Sequence, residues 1–138
     1  MGFFSWNCCA CGNEILNVYS GTAYKKEWMF DVVALFDLRY VDEELVWNLP
    51  VVGEECVMAS GIYNGYGEID GCEAEINLVD LDARQFRLFH KACWTALEEP
   101  CGLEELYSFP ENASAPNQGH FFNDGELNNI NKPEFLLH

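Results

Sequence analysis

The sequence predicts an α+β fold: a small antiparallel β-sheet or barrel-like unit, one main helix and an irregular C-terminal tail. Three observations support this. Short β-branched and aromatic runs recur between glycine-bearing turns through the middle of the chain. A Cys-x2-Cys turn, Cys8-Cys9-Ala10-Cys11-Gly12, precedes them. A His-x2-Cys pair, His90-Lys91-Ala92-Cys93, follows them at the start of a helical stretch. The two pairs together supply the donors of a closed Cys3His zinc site. The β-unit is therefore expected to be inserted in a treble-clef-like zinc site within one domain spanning 1–138.

Four segments are expected. Residues 1–26 form a lead-in that carries the Cys8–Cys11 knuckle, where Gly12 permits close backbone approach. Residues 27–88 form the β-rich unit. In it, Trp28–Phe36 reads as a strand built on the run Val32-Val33-Ala34-Leu35-Phe36, and Asp37-Leu38-Arg39 turns the chain toward a second strand near Tyr40. Leu45–Val52 is apolar but carries Pro50, which suits an edge or loop. Cys56–Tyr63 is the next strand. Asn64-Gly65-Tyr66-Gly67 is a hairpin signal, because Asn-Gly tolerates the positive φ of a two-residue turn. A further strand is expected over Ala74–Val79.

Residues 89–108 are assigned to helix, starting with Phe89–Glu99 and followed by a short piece over Leu103–Tyr107. Residues 109–138 form a wrapping tail punctuated by Asn, Pro and Asp124-Gly125. Phe121-Phe122 and Phe135-Leu136-Leu137 are its expected anchors. Asn112-Ala113-Ser114 matches a glycosylation sequon by chance in an intracellular setting.

The ligand spacings carry the chemistry. A Cys-x2-Cys turn places two sulfurs on one side of a tight loop. His90 and Cys93, three apart in a first helical turn, would face one way, and the positive helix end would favour the Cys93 thiolate. Cys9 could replace Cys8, although Cys9-x-Cys11 makes a poorer knuckle. Closing the 78 residues between Cys11 and His90 with a metal should stabilise the fold strongly, since structural zinc contributes about 10 to 16 kcal/mol in small domains. The alternative is that all four residues are buried and metal-free. The remaining cysteines, Cys9, Cys56, Cys72 and Cys101, read as small core hydrophobes.

Composition narrows the function. The chain has 138 residues and 49% hydrophobic content, enough for one core, and its 14% aromatic share buries much surface per residue. Seven cysteines, an odd count, argue for reduced thiols and a metal rather than a disulfide scaffold. The opening Met1-Gly2-Phe3-Phe4-Ser5-Trp6 lacks the marks of a signal peptide, and Trp6 stands where myristoylation wants Ser or Thr. No apolar run is long enough to span a membrane. The expected location is cytoplasmic.

Net charge is −16, with eleven acids and no Lys or Arg from Tyr40 to Ala83, and seven acids and no base from Ala92 to Asn131. Such a surface repels phosphate backbones, so direct nucleic-acid binding is not expected. A protein partner with a basic surface, mimicry of a nucleic acid, or simple solvation remain as readings of the acids. Oligomeric state is not readable. His120, Glu98 and Glu99 could serve a catalytic zinc, but no hydrolase motif accompanies them. Gly65-Tyr66-Gly67 is too short, and too close to Glu68, to cradle phosphate. Cys93 and His90 are spaced for shared metal ligation rather than as nucleophile and base.

These motifs resemble a group of small bacterial and bacteriophage proteins. The resemblance rests on the Met1–Trp6 opening, the Cys8–Gly12 knuckle, Tyr63-Asn64-Gly65-Tyr66-Gly67 against a YDGYG-like turn, Phe89-His90-Lys91-Ala92-Cys93-Trp94 against HxACW, and Gln118-Gly119-His120-Phe121-Phe122. It implies a bacterial or phage origin and zinc binding, without an activity. The acid surplus and the Leu45–Glu55 segment depart from the group, so no partner carries over. The expectation is a small acidic protein with a structural Cys3His zinc, acting as a non-enzymatic protein-interaction module. The alternatives are a phage-encoded inhibitor of a host defence or nucleic-acid-processing protein, and a zinc-dependent hydrolase.

Overall fold

The computed structural model describes residues 3–23, 26–40, 44, 47–52, 56–71, 76–81, 86–96 and 120–122. The order of elements is β1 (Phe3–Ser5), α1 (Val18–Ala23), β2 (Asp31–Asp37), β3 (Cys56–Tyr63), β4 (Ile69–Asp70), β5 (Phe86–His90), α2 (Lys91–Ala96) and β6 (His120–Phe122). Short 3-10 turns cover Glu27–Met29, Leu38–Tyr40 and Leu78–Asp80. The class is α+β.

Four strands form an open antiparallel sheet in the order β4-β3-β2-β5, not a closed barrel. The N-terminal strand pairs separately with the last, Phe3 opposite Phe122 and Ser5 opposite His120. In the main sheet β2 is central, with Ala34 between Ala59 on β3 and Leu88 on β5. Side chains alternate faces along a strand, yet Val32 through Asp37 are all buried. Both faces of the sheet are therefore covered at β2, which is why this strand reads as a continuous apolar run.

On one face, Trp6 meets Tyr63 and Phe86 edge-on, each at 6.0 Å between ring centroids, and Phe86 also meets Phe36. Such aromatic pairs contribute about 0.5 to 1.5 kcal/mol each beyond their area. Trp6 lies two residues before Cys8, so this packing fixes the knuckle to the sheet. On the opposite face Phe89 packs against Trp94 of α2, centroids 5.3 Å apart.

Several expectations are corrected. Among the described residues no second strand forms near Tyr40. The Asp37 carboxylate accepts the backbone N–H of Arg39 at 3.0 Å and also its guanidinium, which closes a 3-10 turn instead. The hairpin after β3 exists, but as a longer loop. The side chain of Asn64 accepts from the N–H of both Tyr66 and Glu68, and Tyr63 pairs with Ile69. The positive φ falls on Gly65 and Gly67.

The strand expected over Ala74–Val79 lies partly outside the described residues. Its described end forms one bridge, Asn77 to Glu68, and then a 3-10 turn whose N–H at Val79 is capped by the Asn77 side chain. The strand expected from Trp28 starts at Asp31, after a 3-10 turn. The helix expected from Phe89 starts at Lys91, because Phe89 and His90 are paired with Val33 and Val32 in the sheet. The β-rich unit thus extends past residue 88 to His90. Residues 97–99, the piece over Leu103–Tyr107, the sequon and most of the 109–138 tail lie outside the described residues, as do Phe135-Leu136-Leu137. Phe121-Phe122 belongs to β6.

Segment 47–52 behaves as the edge that Pro50 implied. The N–H of Val52 donates to the carbonyl of Cys56, and that of Met58 to the carbonyl of Pro50, both at 2.9 Å. Val51 therefore stands opposite Val57 along the outer side of β3. Among the described residues, no helix is long and apolar enough to cross a membrane.

Candidate metal centre

The knuckle is a tight hairpin closed by backbone bonds. The N–H of Ile15 donates to the carbonyl of Trp6, and the N–H of Cys8 to that of Asn13. The Asn7 side-chain amide donates to the Gly12 carbonyl at 2.8 Å. Gly12 takes a φ of 78°, and its N–H returns to the carbonyl of Cys8. This left-handed turn is accessible to glycine at little cost. It presents Cys8 and Cys11 on the same side.

The second pair sits at a strand-to-helix junction. His90 is the last residue of β5 and Cys93 lies in the first turn of α2. This corrects the expectation that both came from one helical turn. The knuckle reaches this junction by lying along the free edge of β5. The N–H of Cys9 donates to the carbonyl of Leu88 at 2.8 Å, and the N–H of His90 donates to Sγ of Cys8 at 3.3 Å. Farther along that edge, the buried Arg87 turns its guanidinium onto the carbonyl of Phe86.

The result is a group of four donors. One atom from each of Cys8, Cys11, His90 and Cys93 lies within 4.8 Å of every other. Nδ1 of His90 is 3.3 Å from Sγ of Cys11 and 3.8 Å from Sγ of Cys93. Donors held about 2.0 to 2.3 Å from a tetrahedral ion stand roughly 3.5 to 3.8 Å apart. A small inward movement of the widest pair would thus seat a metal. Cys8, His90 and Cys93 are fully buried, while Cys11 is half-buried.

Supporting contacts aim the imidazole. Nε2 of His90 lies 2.8 Å from the carbonyl oxygen of Glu14. Donation of its proton there leaves Nδ1 free to face the thiols, as in many metal-bound histidines. The Trp28 ring packs edge-on against the imidazole at 4.8 Å. Neither support was foreseen. A backbone carbonyl leaves no mark in sequence, and Trp28 read only as part of a strand.

Protonation reflects the crowding. Burial opposes ionisation of Cys8, but hydrogen bonds from Cys11 and Cys93 and the positive His90 hold its thiol well below the usual value. Burial likewise opposes charge on His90, yet the Cys8 thiolate beside it raises the imidazole to about 10. Cys93 is pushed far up by hydrogen bonding to Cys11 and Cys8, and then by burial. In the metal-free group these effects favour the thiolate on Cys8.

The other candidates fall elsewhere. Cys9 is buried in the core and belongs to no metal-ligating group among the described residues. Cys56 is also in the core, while Cys72 and Cys101 lie outside the described residues. His120 is in β6, and Glu98 and Glu99 lie outside the described residues. Gly65 and Gly67 pack tightly: an added Cβ would come 2.9 Å from Asn17 and 2.5 Å from Asn77 respectively. The Gly-Tyr-Gly loop is thus filled by its neighbours and offers no cradle.

Comparison with protein-family models, curated proteins and solved structures finds no match.

Proposed function

We propose that the chain is a small zinc-stabilised protein-interaction module whose metal is structural. The single observation behind this reading is the closed donor set, three thiols and one imidazole, with three of the four residues fully buried. Soft sulfur and imidazole donors in that number suit Zn2+, and a complete set leaves no coordination position for a reacting water. The arrangement is treble-clef-like, with a knuckle facing a strand-to-helix junction. The main sheet occupies the place of the usual short hairpin.

The role assigned to zinc is to clamp the N-terminal knuckle onto the edge of β5. The chain then acts by contact rather than catalysis, and its −16 charge favours a partner with a basic surface over a nucleic acid. Reduced thiols fit a cytoplasmic setting.

Native mass spectrometry of untagged protein, purified without added zinc, tests the centre. One zinc per chain, lost in Cys8→Ser and in Cys93→Ser, is expected. A metal-free chain that folds cooperatively would refute the structural role. Absorption spectra of the cobalt-substituted protein separate module from hydrolase: bands of three thiolates and one imidazole support the module, and an additional exchangeable water ligand would overturn it.

A further inference from the structure

We propose that the outer edge of segment 47–52 is a docking site for an extended, lysine- or arginine-bearing strand of a partner protein, which adds to the main sheet beyond Val51. The proposal rests on the interaction-module reading and names the partner's chemistry.

The argument begins with the backbone. The bonds from Val52 to Cys56 and from Met58 to Pro50 flank the Val51–Val57 pair. In an antiparallel ladder, a pair flanked in this way does not exchange bonds with itself. The N–H and carbonyl of Val51 therefore point away from β3. Among the described residues nothing pairs with them. An outward donor and acceptor on a sheet edge form a template for another strand.

The side chains reinforce this. Trp47 is 85% exposed, the most exposed of the large apolar residues described, and Val51 is 68% exposed. Leu49, between them, is buried in the core and fixes the segment to the body. An indole held in solvent on an anchored segment is the kind of residue that supplies a binding hot spot. Pro50 lacks an N–H, so the edge stays short.

Charge selects the occupant. Glu44 is exposed, and Asp42, Glu43, Glu54 and Glu55 flank the segment in the chain. A second copy of the same chain would carry the same acids on either side of the same segment, and like charges oppose that pairing. A basic strand is complementary, and main-chain bonds with alternate side-chain contacts are how added strands are recognised.

The test uses the zinc-loaded full chain and a short capped peptide of alternating Lys and Val, followed by amide chemical shifts. A peptide of alternating Lys and Pro carries the same charge but cannot complete a ladder. The Lys-Val peptide is expected to shift residues 47–52, and the Lys-Pro peptide to bind at least tenfold more weakly. Trp47→Ala and Val51→Lys should each weaken binding roughly tenfold, with zinc content and melting temperature unchanged. Equal binding by both peptides, shifts spread over the acidic surface, unaltered binding by Trp47→Ala, or no binding at all would overturn the site. Should Val51→Lys fail to fold, Trp47→Ala decides, because its indole is in solvent. A natural partner still captured by Trp47→Ala would refute this edge while leaving the module reading intact.

Discussion

The backbone N–H of His90 donates to Sγ of Cys8 at 3.3 Å, joining residues 82 apart, while the His90 ring turns Nδ1 toward the thiols of Cys11 and Cys93. One residue thus offers a donor atom to the group and also a proton to another member's sulfur. The sheet edge and the metal centre are consequently a single device, and disturbing either should disturb the other.

Cys8→Ser and Cys9→Ala separate these neighbours. Cys8→Ser should lose the metal and the cooperative unfolding transition. Cys9→Ala keeps the backbone N–H that meets Leu88 and should retain the metal, at a packing cost of about 1 kcal/mol. Metal content and urea denaturation of both proteins check this. Equal loss in both would place the ligand set elsewhere.

Metal uptake should strengthen as pH rises. Zinc must displace a proton from His90, whose imidazole is held up at about 10, and another from Cys93, whose thiol is also raised. Affinity should therefore climb from pH 6 towards pH 10 and collapse in acid. The metal-free fold has the opposite dependence for His90: the raised imidazole stabilises it fully below its ordinary 6.5 and loses that contribution as pH passes about 10. Chelator competition at a series of pH values measures the first trend, and apo-protein melts the second. A pH-independent affinity would contradict proton displacement.

Trp28→Ala removes the ring that packs against the imidazole at 4.8 Å but removes no ligand. Zinc should still bind, with affinity reduced roughly tenfold, at the lower end of the effect of losing a ligand's support. Zinc release followed with a chromogenic chelator reads this directly. Release at the parent rate would mean that the Glu14 carbonyl alone fixes the ring.

Phe86→Ala deletes a fully buried ring that touches Trp6 and Phe36. About 3 to 5 kcal/mol of stability should be lost even with zinc bound. Because Trp6 carries the knuckle, zinc should also leave faster. Denaturant unfolding and release kinetics on the same preparation test the two effects together.

The grouping of Cys8, Cys11, His90 and Cys93 was legible because its information is local: two pairs at fixed short spacings. The strand β2 was legible for a related reason, since burial on both faces writes an unbroken apolar run, whereas β3, exposed at Ile62, was legible from its β-branched and aromatic residues before the Asn64-Gly65 turn. Phe86-Arg87-Leu88-Phe89-His90 misled because it ends in a residue read as helical, and because Arg87 disguises a fully buried strand. Its guanidinium donates to the neighbouring carbonyl of Phe86, a contact that no pattern of residue types announces. Helix α1, Val-Tyr-Ser-Gly-Thr-Ala, has weak helix formers at every position but Ala23, so propensity did not announce it. The pairing of β1 with β6 depends on contact across the chain, beyond the reach of local pattern.

That pairing has a consequence for how the protein is made. The first strand finds its partner only when Phe122 has been synthesised, and the knuckle at Cys8 waits for Cys93. Closure of the N-terminal strand and knuckle therefore waits for segments that the ribosome releases much later. Contacts so distant in sequence are also slow to form. A nascent chain must carry Trp6 without its Tyr63 and Phe86 contacts, and the knuckle without its β5 edge, until those residues have been made. During that interval its surplus of acids, through mutual repulsion between neighbouring chains, is its own protection against clumping.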